Sequence, residues 1–301
     1  MTIKEVLHWG HETLLLTSDS ARLDAELLLA HVLKKPVTFL LAHDEQKISS
    51  IKWWFYKRFI SKRKQGIPVA YLIGHKEFFF LDFEINRHVL VPRPDTEILV
   101  ECVVNYIGEN RKSKIENRNS FEVRSSKFDF KNALLLDIGT GSACIPIAVL
   151  KNVEGIKAIA TDISRKALKV SRRNVKKHKL KSRINLIRSD LLKNVPMEKL
   201  KGKEVIVTAN LPYIPKDFQV SPELAYEPSV SLYGGEDGLD VYKRLVEQVR
   251  TLKPRALFFE LFEDQIAILK TKLPDYHLKY VKDMSGQARV LALERHSENL
   301  F

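Results

Sequence analysis

Apolar positions over the first 74 residues recur at a helical period. In ARLDAELLLAHVL, from Ala21, the side chains of Leu23, Leu27 and Leu28 fall near one helix face, among good helix formers. IKWWFYKRFISKRKQG continues the pattern with Ile51, Phe55 and Phe59 four apart on one face, and Gly66 and Pro68 end it. Trp53 and Trp54 read as core packing. Residues 1–74 are therefore expected to form a small bundle of short helices.

At Glu77 the period changes to two. Phe79, Leu81, Phe83 and Ile85 alternate with Phe80, Asp82 and Glu84, which predicts a strand. Asn86-Arg87-His88 is placed as the turn into a second strand at Val89-Leu90-Val91. This hairpin, residues 75–92, would link the bundle to a second domain over 93–301. The prolines of VPRPDTEILV lead into a helix with Asp95 or Thr96 as N-cap. Residues 108–132 are polar, charged and weakly periodic, so a flexible surface insertion is expected there.

From Ala133 short apolar runs alternate with helical ones. ALLLDI, IKAIATD, INLIRSD, EVIVTAN and ALFFEL predict a parallel sheet covered on both faces, with YHLKYV and ARVLALE as late strands. In such α/β sheets ligands bind beyond the carboxyl ends of the strands, which points to Asp137–Cys144, Asp162, Asp190 and Asn210–Tyr213.

Composition narrows the classes. The chain has 301 residues, 45% hydrophobic and 29% charged, enough for a buried core in one large domain or two modest ones. Lys and Arg number 50 against 37 Asp and Glu, a net charge of +13, which favours acidic or nucleic-acid neighbours. Two cysteines, Cys102 and Cys144, are too few for a disulfide framework or a thiolate metal cage, and no metal site is expected. MTIKEVLHWG has no apolar signal core, and no apolar run approaches a membrane span. A cytoplasmic protein without membrane contact is expected.

Three motifs carry candidate chemistry. DIGTGSACIPIAV follows the first strand of the sheet, and Gly139 and Gly141 would let the backbone turn tightly beside a ligand. Cys144 stands where a dinucleotide fingerprint needs a third glycine, and a phosphate-binding Gly-Lys-Ser/Thr is missing. A nucleoside-type cofactor and a structural strand-to-helix turn both remain open on this motif alone. Asp162 ends the next strand, where a carboxylate can accept both ribose hydroxyls, and Asp190 could take an adenine amino group. Each could instead be a helix cap. Asn210-Leu211-Pro212-Tyr213 follows the fourth run, EVIVTA, where an asparagine carbonyl and the Leu211 backbone carbonyl could both accept from one planar NH₂, with the Tyr213 ring packed on the substrate.

The chain resembles the bacterial protein-(glutamine-N5) methyltransferases that modify peptide-chain release factors. The resemblance runs through LDAELLL, the Gly74–Phe83 hairpin, LVPRPDTEILV, DIGTGSACIPIA, ATDIS, SDLL, ANLPYIP and EPSVSLYGGEDGLDVYKRL. It implies a seven-stranded Rossmann-like sheet with its last strand antiparallel, behind a helical domain that helps recognise class I release factors. It implies S-adenosyl-L-methionine along Gly139, Thr140, Gly141, Ser142 and Ala143, its ribose on Asp162 and its adenine flanked by Asp190 and Leu191. Asn210 would touch both cofactor and substrate, and Asn210, Leu211, Pro212 and Tyr213 would receive the glutamine of a Gly-Gly-Gln motif, with Asn210, Pro212 and Tyr213 as catalytic residues. Three positions depart from the family pattern. Ala143 replaces a glycine, Leu211 replaces the first proline of Asn-Pro-Pro-Tyr, and FELFEDQ replaces a glycine-containing stretch, so that segment is assigned no site role.

Asn-Leu-Pro-Tyr also resembles the motif of ribosomal-RNA adenine dimethyltransferases. An adenine-N6 methyltransferase acting on RNA or DNA, a ribosomal-protein glutamine methyltransferase and a non-catalytic binding module are the rival readings. SRKALKVSRRNVKKHKLKSR, from Ser164, reads as a helix with a basic outer face. It is either simply solvated or a dock for an acidic release-factor surface or RNA, and solvation is the favoured account.

Overall fold

The computed structural model describes residues 1–109 and 132–296. They divide into two compact units, one made of Met1–His75, Ile85–Arg87 and Gln219–Glu227, the other of the remaining chain. The first is helical: α1 (Ile3–Leu14), α2 (Ala21–Leu33), α3 (Val37–Ala42), α4 (Ser50–Lys64) and α5 (Val69–Ile73). Thr2 and Glu5 form a reciprocal capping box at the start of α1. Ile3, Val6, Leu14, Leu28, Leu29, Leu40, Tyr56 and Ile60 are buried in one apolar cluster.

The face of α4 differs from the expected one. Ile51 and Phe55 are exposed, as is Trp54, and the inward stripe is Tyr56, Ile60 and Arg63, with Trp53 half-buried against Trp9. The run Trp53–Tyr56 makes the helix apolar on every side, so spacing alone leaves two equivalent faces. Burial goes to the one that carries Arg63 to Asp24, with Nε 2.6 Å from Oδ2 and both side chains under a tenth exposed. Glu223 at 2.9 Å and the Ser18 hydroxyl at 3.2 Å accept from Nη2, and the Ile67 carbonyl accepts from Nη1 at 3.4 Å. A buried charge persists only when it is paired in this way.

The second unit opens with a hairpin, β1 (His75–Phe78) and β2 (Leu81–Glu84). Its turn is Phe79-Phe80 rather than Asn86–His88, and residues 89–91 form no strand. Both phenylalanines lie in the left-handed region, at φ +50° and +58°. That is the backbone of a two-residue hairpin turn, where sequence rules look for Asn-Gly. The Glu97 carboxylate accepts the Phe79 N–H at 2.8 Å and helps hold the turn. The helix α6 (Pro94–Glu109) begins at its proline, so both expected caps, Asp95 and Thr96, lie inside its first turn. Of the expected insertion, Gly108 and Glu109 continue α6 and residues 110–131 lie outside the described residues.

The sheet holds β3 (Ala133–Ile138), β4 (Lys157–Asp162), β5 (Ile184–Arg188), β6 (Glu204–Ala209), β7 (Ala256–Glu260), β8 (Tyr276–Lys282) and β9 (Ala288–Arg295). Their order is β5-β4-β3-β6-β7-β9-β8, with the first five parallel and β9 antiparallel to both its neighbours. This is the expected Rossmann-like sheet. The helices α7 (Cys144–Asn152), α8 (Arg165–Lys177), α9 (Asp240–Leu252) and α10 (Glu263–Lys270) accompany it. Strands β3, β6 and β7 are almost wholly buried, as apolar runs without alternation require. The strand order reverses at β3, where Ile138 is in register with Ala209 of β6 and Thr161 of β4. Gly139, Asn210 and Asp162 therefore leave the sheet side by side.

All seven exposed positions of α8 are Lys or Arg, and among them Arg173 pairs with Glu84 and Lys177 with Asp82. No helix among the described residues is long and apolar enough to cross a membrane.

Phe80 is 92% exposed, so its side chain contributes little packing to offset its left-handed backbone. Phe80→Gly should stabilise the protein by about 0.5–1 kcal/mol. Urea unfolding checks this, and a destabilised variant would show that the ring is held by contacts.

Candidate active site

A cleft lies at the carboxyl ends of β3, β4, β5 and β6. Gly139, Thr140, Gly141, Ser142, Asp162, Asp190, Leu191, Asn210, Leu211 and Pro212 all reach its wall. Ala143 and Tyr213, also singled out by the sequence, do not. Ala143 is fully buried beneath the glycine turn at φ +66°, and Tyr213 turns its hydroxyl inward, away from the cleft.

The glycine turn is bolted from three sides. Gly139 and Gly141 take φ of +72° and +55°. The Gly141 N–H donates to Asp162 Oδ2 at 2.9 Å, and its carbonyl accepts from the Ser171 hydroxyl at 2.7 Å. Asn174 donates to the Ser142 carbonyl at 2.9 Å and exchanges two hydrogen bonds with the Glu84 backbone. Ser171 and Asn174 are buried on the inner face of α8, a face the basic composition of that helix conceals.

Asp162 accepts N–H bonds from Gly141 and Ser164, one on each oxygen. Each oxygen keeps a second lone pair, which suits a pair of ribose hydroxyls. Burial pushes its carboxyl above the ordinary value, against the pull of the two N–H groups. Asp190 differs: Lys193 at 2.7 Å and Arg244 at 2.5 Å hold its carboxyl below the usual range. Beneath them Asp137, fully buried at the end of β3, is pushed up to about 7 by desolvation. Its Oδ1 accepts from the Thr208 hydroxyl at 2.7 Å, and the Thr140 hydroxyl also faces the carboxyl and opposes the rise.

Asn210 is fixed by both protons of its amide. Nδ2 donates to Thr96 Oγ1 at 3.0 Å and to Glu260 Oε2 at 2.9 Å. Its Oδ1 is thereby left for the cleft. Thr96 comes from the PRPDTE segment, which explains why that segment accompanies the asparagine motif. The Leu211 N–H donates to the Tyr242 hydroxyl at 3.1 Å, and the Leu211 side chain lies against Gly139, where a β-carbon would sit 2.6 Å from Cδ2. A proline at 211 would lack this N–H, so the departure from Asn-Pro-Pro-Tyr gains a hydrogen bond to Tyr242.

FELFEDQ, assigned no role from the sequence, supplies two supports of the motif. Glu260 also accepts from the Tyr213 hydroxyl at 3.1 Å, and Gln265 donates to the Tyr213 carbonyl at 2.7 Å. The signal available in the sequence was a glutamate closing the apolar run ALFFE at a ligand-binding strand end. The GGEDGLD loop clasps the same turn from outside. Ile214 donates to Leu232 and accepts from Gly234. A β-carbon on Gly234 would lie 2.4 Å from the Pro212 carbonyl oxygen, and one on Gly238 2.2 Å from that of Tyr213.

Residues 5–74 match the PrmC N-terminal domain and residues 127–210 a methyltransferase domain. The release factor glutamine methyltransferase of Clostridium acetobutylicum is 34% identical over 88% of this chain and 87% of its own length. The chain belongs to the release factor glutamine methyltransferase family. The Bacillus anthracis member is 31% identical over 98% of this chain and 99% of its own. The bifunctional methyltransferase of Rickettsia felis is 32% identical over 96% of this chain. This chain spans 57% of that protein's length. Among solved structures, the human Mettl16 catalytic domain in complex with a MAT2A 3'UTR hairpin shares the fold, with a TM-score of 0.55 at 16% identity over 79% of this chain and 82% of its own. The family and the fold are those of S-adenosylmethionine-dependent methyltransferases.

Gly238→Ala should cost more than about 2 kcal/mol, combining the left-handed backbone at φ +74° with a collision against main chain. Gly202, at φ +71° with open space around it, provides the control, and its alanine variant should lose only about 1 kcal/mol. Equal losses on urea unfolding would show that the clasp is slack.

Proposed function

We propose that this protein methylates the side-chain amide nitrogen of the glutamine in the Gly-Gly-Gln motif of class I release factors, using S-adenosyl-L-methionine. The observation that carries this reading is the hydrogen bonding of Asn210: both amide protons are taken by Thr96 and Glu260, which leaves Oδ1 for the cleft that Asn210, Leu211 and the glycine turn line. Membership of the family supports glutamine over adenine, a choice the asparagine motif alone leaves open because it suits any planar NH₂.

The residues present fit the cofactor. The turn from Gly139 to Ala143 allows close backbone approach, Asp162 keeps acceptor capacity for a ribose, and Leu191 offers an apolar wall beside Asp190. Asp190 enters that role already paired with Lys193 and Arg244, so its carboxylate would share its lone pairs with any adenine amino group. Bound S-adenosylmethionine supplies an electrophilic methyl on a sulfonium that leaves neutral, so no metal or strong general acid is needed.

The carboxamide nitrogen of glutamine is a poor nucleophile because its lone pair is conjugated with the carbonyl. Asn210 Oδ1 and the Leu211 carbonyl would accept its two N–H groups, favour pyramidalisation and aim the lone pair along the line of attack. Hydrogen bonds to groups gaining charge contribute about 1.5–3 kcal/mol each. Fixing the line of attack can contribute roughly 7–11 kcal/mol, so orientation is the larger effect. The N-methylated amide cation is acidic enough to lose its proton to water, and no dedicated base is required.

Asn210→Ala should lower kcat at least about a hundredfold. Folding and cofactor affinity should be retained; near-normal methylation of a release factor by this variant would refute the clamp. Asp162→Ala should raise the cofactor Kd by about 10- to 150-fold with a smaller change in kcat. Calorimetric titration checks it, an unchanged affinity being the contrary result.

A further inference from the structure

Glu260 lies behind Asn210 and is absent from the cleft wall; it is 1% exposed at the end of β7. Three side-chain donors converge on its carboxyl. Oε2 accepts from Asn210 Nδ2 at 2.9 Å and Oε1 from the Tyr213 hydroxyl at 3.1 Å. The Thr96 hydroxyl, which accepts the other Asn210 proton, turns its own proton toward Glu260. The charged groups facing it are Asp95 from α6 and Arg289 from β9, themselves paired at 3.3 Å. From α9, the Tyr242 hydroxyl lies 2.8 Å from the Glu260 backbone carbonyl.

We propose that Glu260 is a positioning residue that, as a carboxylate, holds Asn210 with its oxygen toward the cleft and, once protonated, releases it. The proposal rests on the reading of Asn210 Oδ1 as the acceptor for the substrate amide. An asparagine amide has nearly the same shape after a half-turn, so packing cannot decide which end faces the cleft. Hydrogen-bond polarity can. A carboxylate only accepts, which forces Nδ2 inward. A protonated carboxyl has one O–H to donate, and when that proton sits on Oε2, the oxygen facing Asn210, Asn210 Oδ1 becomes its acceptor after the half-turn. The cleft would then present NH₂ to the substrate's own NH₂, and the clamp is lost.

Burial sets where this happens. Desolvation, opposed by the bonds from Thr96 and Tyr213, pushes the Glu260 carboxyl up to about 7. Because the folded value is raised, this group's contribution to stability is fully present below the ordinary carboxyl value and is lost as pH rises through the folded one. Acidification below about 7 should therefore lower turnover while easing the burial penalty of this residue. A residue with only a structural role would lose activity and stability together.

The test compares the full-length protein with Glu260→Gln, which keeps the size and replaces one of the two acceptor oxygens with a permanent NH₂ donor. With a release factor as substrate, wild-type kcat should fall tenfold per pH unit below about 7. Glu260→Gln should be at least about tenfold slower at pH 8, flat from about pH 6 to 9, and no less thermally stable than wild type. A second readout needs no substrate: the side-chain ¹⁵NH₂ resonance of Asn210, assigned by its loss in Asn210→Ala, should titrate with a midpoint near 7 in wild type and stay fixed in Glu260→Gln. The proposal is overturned if Glu260→Gln keeps the wild-type acidic limb, if its kcat at pH 8 is within twofold, or if the wild-type resonance does not titrate. A wild-type protein that leaves release factors unmethylated would instead refute the functional reading, and the resonance would still decide the role of Glu260.

Discussion

Both amide protons of Asn210 are held inside the protein, and the arrangement of the cleft follows from that constraint. One goes to Thr96 from the segment ahead of the sheet and one to Glu260 at the end of β7, the strand paired with β6. Neither partner can be exposed without giving up its grip to water, because a hydrogen bond in a dry site is far stronger than one competed for by solvent. This is why Thr96 and Glu260 are buried although both are polar. It also explains the density of backbone supports around Asn210-Leu211-Pro212-Tyr213. A clamp that reads the lone pair of a planar group tolerates little rotation, so Gln265, Tyr242 and the Gly234–Gly238 loop each fix one peptide of the turn.

The sheet was legible in the sequence because its strands are unambiguous runs, such as ALLLDI and EVIVTA, followed at the ligand-binding end by Gly139 and Asn210. The glycine turn, Asp162, Asp190 and the asparagine motif were legible for the same reason: strand ends are where period and chemistry change together. Glu260 sat at such an end too, but a departure from the family pattern in FELFEDQ drew attention away from it. The exposed face of α4 and the hairpin turn were not legible. In α4 the apolar residues surround the helix, and the choice of face depends on Arg63 finding Asp24, which lies 39 positions earlier. At Phe79-Phe80 the backbone adopts a conformation both residues disfavour, so local propensity points elsewhere and the turn is imposed by the strands and by Glu97.

The three departures from the family pattern act through different atoms. Ala143 adopts a left-handed backbone that glycine would take more easily, yet its methyl is wholly buried, so packing offsets part of the strain. Leu211 keeps the carbonyl of the proline it replaces and adds an N–H, which Tyr242 accepts. The Tyr242 hydroxyl lies within hydrogen-bond distance of the carbonyls of both Ala209 and Glu260. A single phenol thus ties the strand end before Asn210 to the strand end that carries Glu260, and the rigidity lost with the proline ring is partly restored through this contact.

Selection of an NH₂ group and selection of the molecule that bears it are separate physical problems here. Two acceptors fix the direction of a planar nitrogen to within a hydrogen-bond cone, and they do so equally for a carboxamide or an aminopurine. Discrimination must come from volume and polarity beyond the nitrogen, where Pro92, Pro228 and Val230 wall the cleft. These three side chains offer no hydrogen-bond partner to a polar ring edge, and the two methylene carbons of a glutamine side chain need none. An apolar approach to a polar clamp rejects a ligand whose polar edge would be left unpaired more strongly than it rejects one of the wrong size. Apolar walls beside Asn210 also limit the water that can compete for its hydrogen bonds to Glu260 and Thr96.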